Sequence, residues 1–339
     1  MNGEAFSHLR DQAGRLRQQY RINHQKVYML SLELATPLIV AETKADIPVP
    51  GLPNLDGILQ FAAFYWCVRE ATATHPELAQ EYLWQVNDAL RTSAGWIDFP
   101  VPLREIPIRN TGTGAAGRLY DCSVGLPVDP TTSETAYPVG DDFLDGQGRR
   151  FRPVVDDIPL RRRSVPPQHS HKPIQLTAQL DPKRGDHKAL DNRIYYLVTQ
   201  KYCFYFRGDP DWVVRLLQTM RNDGVGVGKK SSLGYGQIRE LCISAAPVRS
   251  TLGWPLTPEQ QSALNVPQGT RAITLLKNIP TDELFRWCNT NFPENAILLG
   301  NPRPAILSFV PVFGGYAPPF WLKRNQTLVA RYGSLLYGI

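Results

Sequence analysis

The chain is expected to fold as an α+β protein with a ferredoxin-like (RRM-like) core, and three observations carry that expectation. A period-two alternation at residues 27–34 precedes a long apolar helical run that begins LDGILQFAAF. A second strand-like run, residues 194–206, precedes an amphipathic helix at 210–220. A glycine-rich stretch then leads into a third strand-like run at 237–245. Strand and helix thus alternate twice, in the order of a split β-α-β pair.

Taken in order, residues 1–26 form a basic amino-terminal helix or extension, with Arg10, Arg15, Arg17 and Arg21 around Leu9 and Leu16. A solvated helix is one reading; a docking arm for a partner subunit or RNA is the other. In the strand at 27–34, Tyr28, Leu30, Leu32 and Leu34 share one side, the pattern of a half-buried strand. Thr36-Pro37 ends it. Asp56 is placed to cap or charge the start of the next helix, which Ile58, Leu59, Phe61, Ala62, Tyr65 and Trp66 should bury.

Two short apolar runs follow, around 106–108 and 118–128. Residues 129–193 read as an irregular insertion broken by proline and dense in cations, among them Arg149, Arg150, Arg152, Arg161, Arg162, Arg163, Lys172, Lys183, Arg184, Lys188 and Arg193. Such a run is either a solvated face or one wall of a basic groove. The next strand carries Tyr202, Phe204 and Phe206 on one face, and aromatic sheets of this kind recur as RNA platforms. Trp212, Val213, Leu216, Leu217 and Met220 mark the following helix by their 3.6-residue period.

Residues 247–339 are expected to form a carboxyl-terminal extension packed on a core domain of 27–246. A helix is expected at 281–288 and a strand at 307–313. Pro318 and Pro319 beside Phe320 and Trp321 make a stiff aromatic bracket. It either closes the core or offers a ring to a base.

The most informative stretch is RNDGVGVGKKSSLGYGQIRE, residues 221–240. Glycine is costly to order inside a helix or strand, so five of them here mark tight turns or close approaches. Lys229, Lys230, Ser231, Ser232 and Tyr235 lie among Gly226, Gly228 and Gly234. Cations, hydroxyls and open N–H groups suit a phosphate backbone. The spacing lacks the pattern of a Walker loop, and the run follows a helix instead of opening one, which argues against a dinucleotide site. The competing reading is a glycine-rich hairpin with solvated lysines.

The net charge of +6 leans towards a polyanionic partner. Five cysteines without a CxxC pair argue for a reduced, cytoplasmic setting over a disulfide framework or a zinc site. No apolar run reaches the roughly 18 residues of a membrane span, and no signal peptide is visible; no membrane, metal or cofactor is expected. His169, His171 and His187 sit among cations and could support acid–base RNA cleavage, although no paired carboxylates or positioned nucleophile accompany them.

In order along the chain, LATPLIV, LDGILQFAAF, RLYDCS, GDHKALDNR, YCFYFRGDPDWVVRLL, GVGKKSSLGYGQI and APPFW resemble the fifth Cas family of the RAMP superfamily. The likeness is greatest to its type IV CRISPR representative. The amino-terminal extension, the long 129–170 segment and the large carboxyl half depart from that pattern. The resemblance implies a RAMP fold and a non-catalytic subunit of an effector ribonucleoprotein. Such a subunit holds the 5′ handle of the CRISPR guide RNA and caps a filament of backbone RAMP subunits, with target DNA a further possible partner. Under this reading the RNA contacts are the glycine stretch, His187, Lys188 and Arg193, with Arg161, Arg162 and Arg163 facing RNA, DNA or a neighbouring subunit. A repeat-processing RAMP endoribonuclease and a repeated backbone subunit are the alternatives.

Overall fold

A computed structural model describes residues 3–39, 52–82, 98–109, 116–128, 146–152, 190–196, 200–228, 231, 234–246, 250–256, 258–263, 272–281, 283–284, 312–315, 326–330 and 334–337. The chain is a mixture of helices and antiparallel sheets, an α+β protein. Among the described residues, the largest sheet has four strands: β1 (Tyr28–Leu34), β4 (Leu126–Pro127), β7 (Lys201–Phe206) and β8 (Ile238–Ala245). Their spatial order is β4-β7-β1-β8, and every neighbouring pair is antiparallel. Helix α2 (Leu55–Thr74) lies in the chain between β1 and β4, and α3 (Pro210–Asn222) between β7 and β8.

Register explains the core. Leu30 is opposite Phe204, Leu32 opposite Tyr202 and Tyr28 opposite Phe206, so these side chains share a face. The leucines, Tyr202, Phe204 and Phe206 are buried with Leu59, Ala63 and Cys67 of α2 and Val213, Leu217 and Met220 of α3. The three rings expected as a stacking platform are therefore core, because the face that carries them is the one the helices cover. On the other face Tyr205 is capped edge-on by Trp254 at 5.3 Å.

Helix α1 (Gly3–Gln19) belongs to the same core: Ala5, Leu9, Ala13 and Leu16 recur along one face and are buried. Its packing against α2 makes it a structural layer. In α2 the expected burial of Phe61 is corrected, since Phe61 remains 41% exposed. It lies on the side of α2 turned away from the Ile58–Leu59–Ala62–Ala63 face. Helix α3 starts where the sequence suggests, with Pro210 in its first turn. The Asp209 carboxylate accepts from the N–H groups of Asp211 and Trp212, both at 3.1 Å.

The expected single strand at 194–206 is two. β6 (Leu190–Tyr196) pairs with β5 (Gly146–Arg152), while β7 alone enters the large sheet. The reason is partner geometry: β7 is held by β1 and β4, and β6 finds its ladder with β5. The insertion is correspondingly more ordered than expected over those strands. β2 (Glu105–Arg109) and β3 (Ala116–Tyr120), which fall on the short apolar runs, pair antiparallel.

Beyond residue 250, β10 (Ala272–Leu275) pairs with β9 (Gly253–Pro255) and β14 (Leu335–Tyr337), and β13 (Gln326–Ala330) pairs with β11 (Ile279–Pro280) and β12 (Val312–Gly315). The short helix α4 (Pro258–Ala263) lies between β9 and β10. Thr281, Glu283 and Leu284 of the helix expected at 281–288 are helical; its remainder, residues 307–311 and the bracket at 318–321 lie outside the described residues. No helix among the described residues is long and apolar enough to cross a membrane.

Candidate nucleic-acid interface

The glycine segment links the end of α3 to β8 and is stitched to the chain that leaves β1. Val227 N–H donates to Gly236 O at 2.8 Å, and Gly236 N–H to Pro37 O at 3.0 Å. The Thr36 hydroxyl donates to Gly234 O at 2.8 Å and accepts from Gln237 N–H at 2.9 Å, so one side chain clasps both ends of the turn. Ala35 N–H completes the strap by donating to Gln237 O at 2.7 Å.

Packing accounts for two of the three glycines assigned to ligand approach. A Cβ on Gly226 would stand 2.1 Å from Tyr235 O, and one on Gly228 would stand 2.7 Å from Ile39 O. The close approach at these positions is made by the protein's own backbone. Gly234 differs: its φ is +89°, it is exposed, and a Cβ there would meet nothing within 4 Å. Ser231 accepts from Gly234 N–H through its carbonyl at 2.9 Å, and Tyr235 is half-buried. The described parts of the segment, 225–228 and 234–237, are thus bonded to each other and to the chain after β1.

Lys229, Lys230 and Ser232 fall between those parts and lie outside the described residues, as do His187, Lys188, Arg161, Arg162, Arg163, His169 and His171. Arg193 lies on β6, at the register position opposite Arg149 of β5.

Sequence reasoning missed two buried polar clusters. In the first, Lys277 Nζ donates to Asp56 Oδ2 at 2.5 Å and to Cys122 Sγ at 3.1 Å, with Lys277 and Asp56 2% and 0% exposed. Asp56 is therefore more than a dipole partner at the start of α2. Burial works to lower the affinity of Lys277 for its proton, but the Asp56 carboxylate and Cys122 together outweigh it and the ammonium pKa is raised. Burial also pushes the Cys122 thiol up to about 12, against the pull of Lys277. In the second cluster, the buried Asp121 carboxylate pairs with Arg207 at 3.1 Å and Arg104 at 3.4 Å and accepts from the Thr251 hydroxyl.

Both clusters join residues after 250 to the large sheet and its helices, and the Val124 N–H bond to Leu276 O at 2.7 Å adds a main-chain tie. LDGIL marked Asp56 as a helix start, but nothing local in the sequence marks Lys277 as its partner 221 residues away. Cys67, Cys122, Cys203 and Cys242 are free thiols; Cys288 lies outside the described residues. No group of three or more His, Cys, Asp or Glu among the described residues is arranged to hold a metal ion. No protein-family model matches the chain, and no curated protein matches it either.

Proposed function

We propose that this chain is a non-catalytic, RNA-binding RAMP subunit of a type IV-like CRISPR effector ribonucleoprotein. It holds the 5′ handle of the guide RNA and caps the backbone filament in the cytoplasm. The observation that carries the proposal is the order β4-β7-β1-β8 with two crossover helices. β1 and β4 run parallel with β7 between them, and β7 and β8 run parallel with β1 between them. That order supports reading the sheet as the split β-α-β arrangement of a ferredoxin-like domain. Further support comes from the glycine segment, which joins the second crossover helix to the last strand and is bonded to the chain after β1 on both sides of Lys229 and Lys230. The motif order from LATPLIV to APPFW adds the subfamily and the subunit role.

In this reading Lys229 and Lys230 neutralise handle phosphates, while Ser231, Ser232 and free N–H groups of the turn donate to them. Co-expression with the guide RNA and the other effector subunits should yield a complex in which this chain crosslinks to the 5′ handle. The Lys229→Ala/Lys230→Ala protein should bind that RNA with a salt slope shallower by up to about 0.7 per lost phosphate contact. Crosslinks spread along the whole guide would favour a repeated backbone subunit. Metal-independent cleavage of repeat RNA lost in His187→Ala would favour the endoribonuclease.

A further inference from the structure

A second cationic surface lies at the opposite end of β1 from the glycine segment. The segment is bonded to Ala35 and Pro37, just after the strand. The other surface surrounds residues 20–27, just before it. Seven residues of strand separate the two by about 23 Å.

This corner is built with unusual care for an exposed turn. Arg21 N–H donates to Asp209 Oδ2 at 2.6 Å, and Asn23 N–H to Gly208 O at 3.1 Å. The Asn23 side chain accepts from Gln25 and Lys26 N–H at 3.0 and 2.9 Å. Arg104 and Arg207 donate to the carbonyls of His24 and Gln25 at 3.2 and 3.3 Å. The turn is thereby tied to β7, to the start of α3 and to Arg104 just before β2.

What the corner presents is charge. Arg17 ends α1, Arg21 and Lys26 stand on the turn, and Arg215 lies on α3, its guanidinium 4.6 Å from the Trp212 ring. All four are exposed, and none is in an ion pair with a described acidic residue. Tyr20, three residues after Arg17, brings the elements together: its ring meets Trp212 edge-on at 5.6 Å, and its hydroxyl donates to Pro100 O at 3.1 Å. The nearby acids are mostly committed, Asp209 to capping α3 and Asp121 to Arg104 and Arg207. Asp211 remains as the exposed acid of the first turn of α3. Unpaired like charges repel one another, and a polyanion that displaces their counterions relieves this.

We propose that Arg17, Arg21, Lys26 and Arg215 form a second site for the phosphate backbone of single-stranded RNA, a proposal that rests on the reading of the chain as an RNA-binding subunit. Arginine forks suit phosphate oxygens. The aromatic rings of the corner are spent in packing, Trp212 being flanked by Tyr20 and by Trp66 at 5.4 Å. Contact is therefore with the backbone alone, without base preference.

The test uses the full chain and fluorescence anisotropy on oligouridine and oligoadenosine between about 50 and about 200 mM salt, the range over which phosphate contacts are strongly screened. The Arg17→Gln/Arg21→Gln/Arg215→Gln protein should show a salt slope shallower by up to about 2 units, from about 0.7 per contact, equally on both RNAs. Arg17→Gln/Arg21→Gln, which keeps the cation over Trp212, should lose up to about 1.4 units and guards against a folding defect. Lys229→Ala/Lys230→Ala is measured in parallel. Unchanged slopes in both corner variants, beside a loss in the loop variant, overturn this site and leave the RNA-binding reading standing. No RNA binding by the unaltered chain overturns both. Intact RNA binding with loss of co-purifying effector subunits overturns the proposal in favour of an acidic protein surface.

Discussion

Replacing Lys277 by methionine tests how residues after 250 are held on the large sheet. The ammonium lies 2.5 Å from Asp56 Oδ2, and the two side chains are 2% and 0% exposed. At an effective dielectric near 20 that attraction is worth about 7 kcal/mol gross, against a desolvation penalty of several kcal/mol for each ion. The net worth of the intact pair is thus small. Removal of one partner is different, because Asp56 would be left charged and buried, at a cost of about 3–5 kcal/mol. Asp56→Asn/Lys277→Met, which removes both charges and keeps similar volumes, should recover most of that loss. Urea melts followed by tryptophan fluorescence give the three stabilities, and amide exchange at Val124, whose N–H meets Leu276 O, reports the tie directly. A single variant costing under about 1 kcal/mol, or a double variant as unstable as the single, would refute a buried, uncompensated carboxylate as the cause.

Gly236→Ala should destabilise the fold by several kcal/mol, whereas Gly224→Ala should cost only about 1. Both have φ of +67°, but the new carbon would stand 1.9 Å from Val227 O at 236 and meet nothing within 4 Å at 224. Equal losses in thermal melts would show that the strapped geometry is wrong. Tyr202→Phe should be neutral or stabilising by up to about 1 kcal/mol, since the hydroxyl is buried without a partner among the described residues; a loss above that in urea would reveal a hidden bond. Stability should also fall as pH rises above about 9. Burial raises the thiols of Cys67 and Cys122 from 9.0 to about 12, so the native state keeps protons that the unfolded chain releases. This contribution is complete below pH 9 and lost between 9 and 12, at about 1.4 kcal/mol per pH unit per thiol, and Cys67→Ala/Cys122→Ala should flatten the decline.

The sequence by itself determined the local elements. Alternation placed β1, the 3.6-residue period placed α3, and the density of glycines marked 221–240 as a special turn. These signals are legible because each arises from neighbours a few residues apart. Tertiary structure decided what the elements do. The aromatic face of β7 became core because α2 and α3 cover it, and the run at 194–206 split because β5 is the partner of β6. Gly226 proved to make room for Tyr235 O. The turn before β1 met the start of α3 only because Arg21 N–H reaches Asp209 and Asn23 N–H reaches Gly208 O. The pairing of Asp56 with Lys277 shows the reason most directly. A buried charge must find its counter-charge wherever the fold brings one, and sequence distance carries no record of that choice.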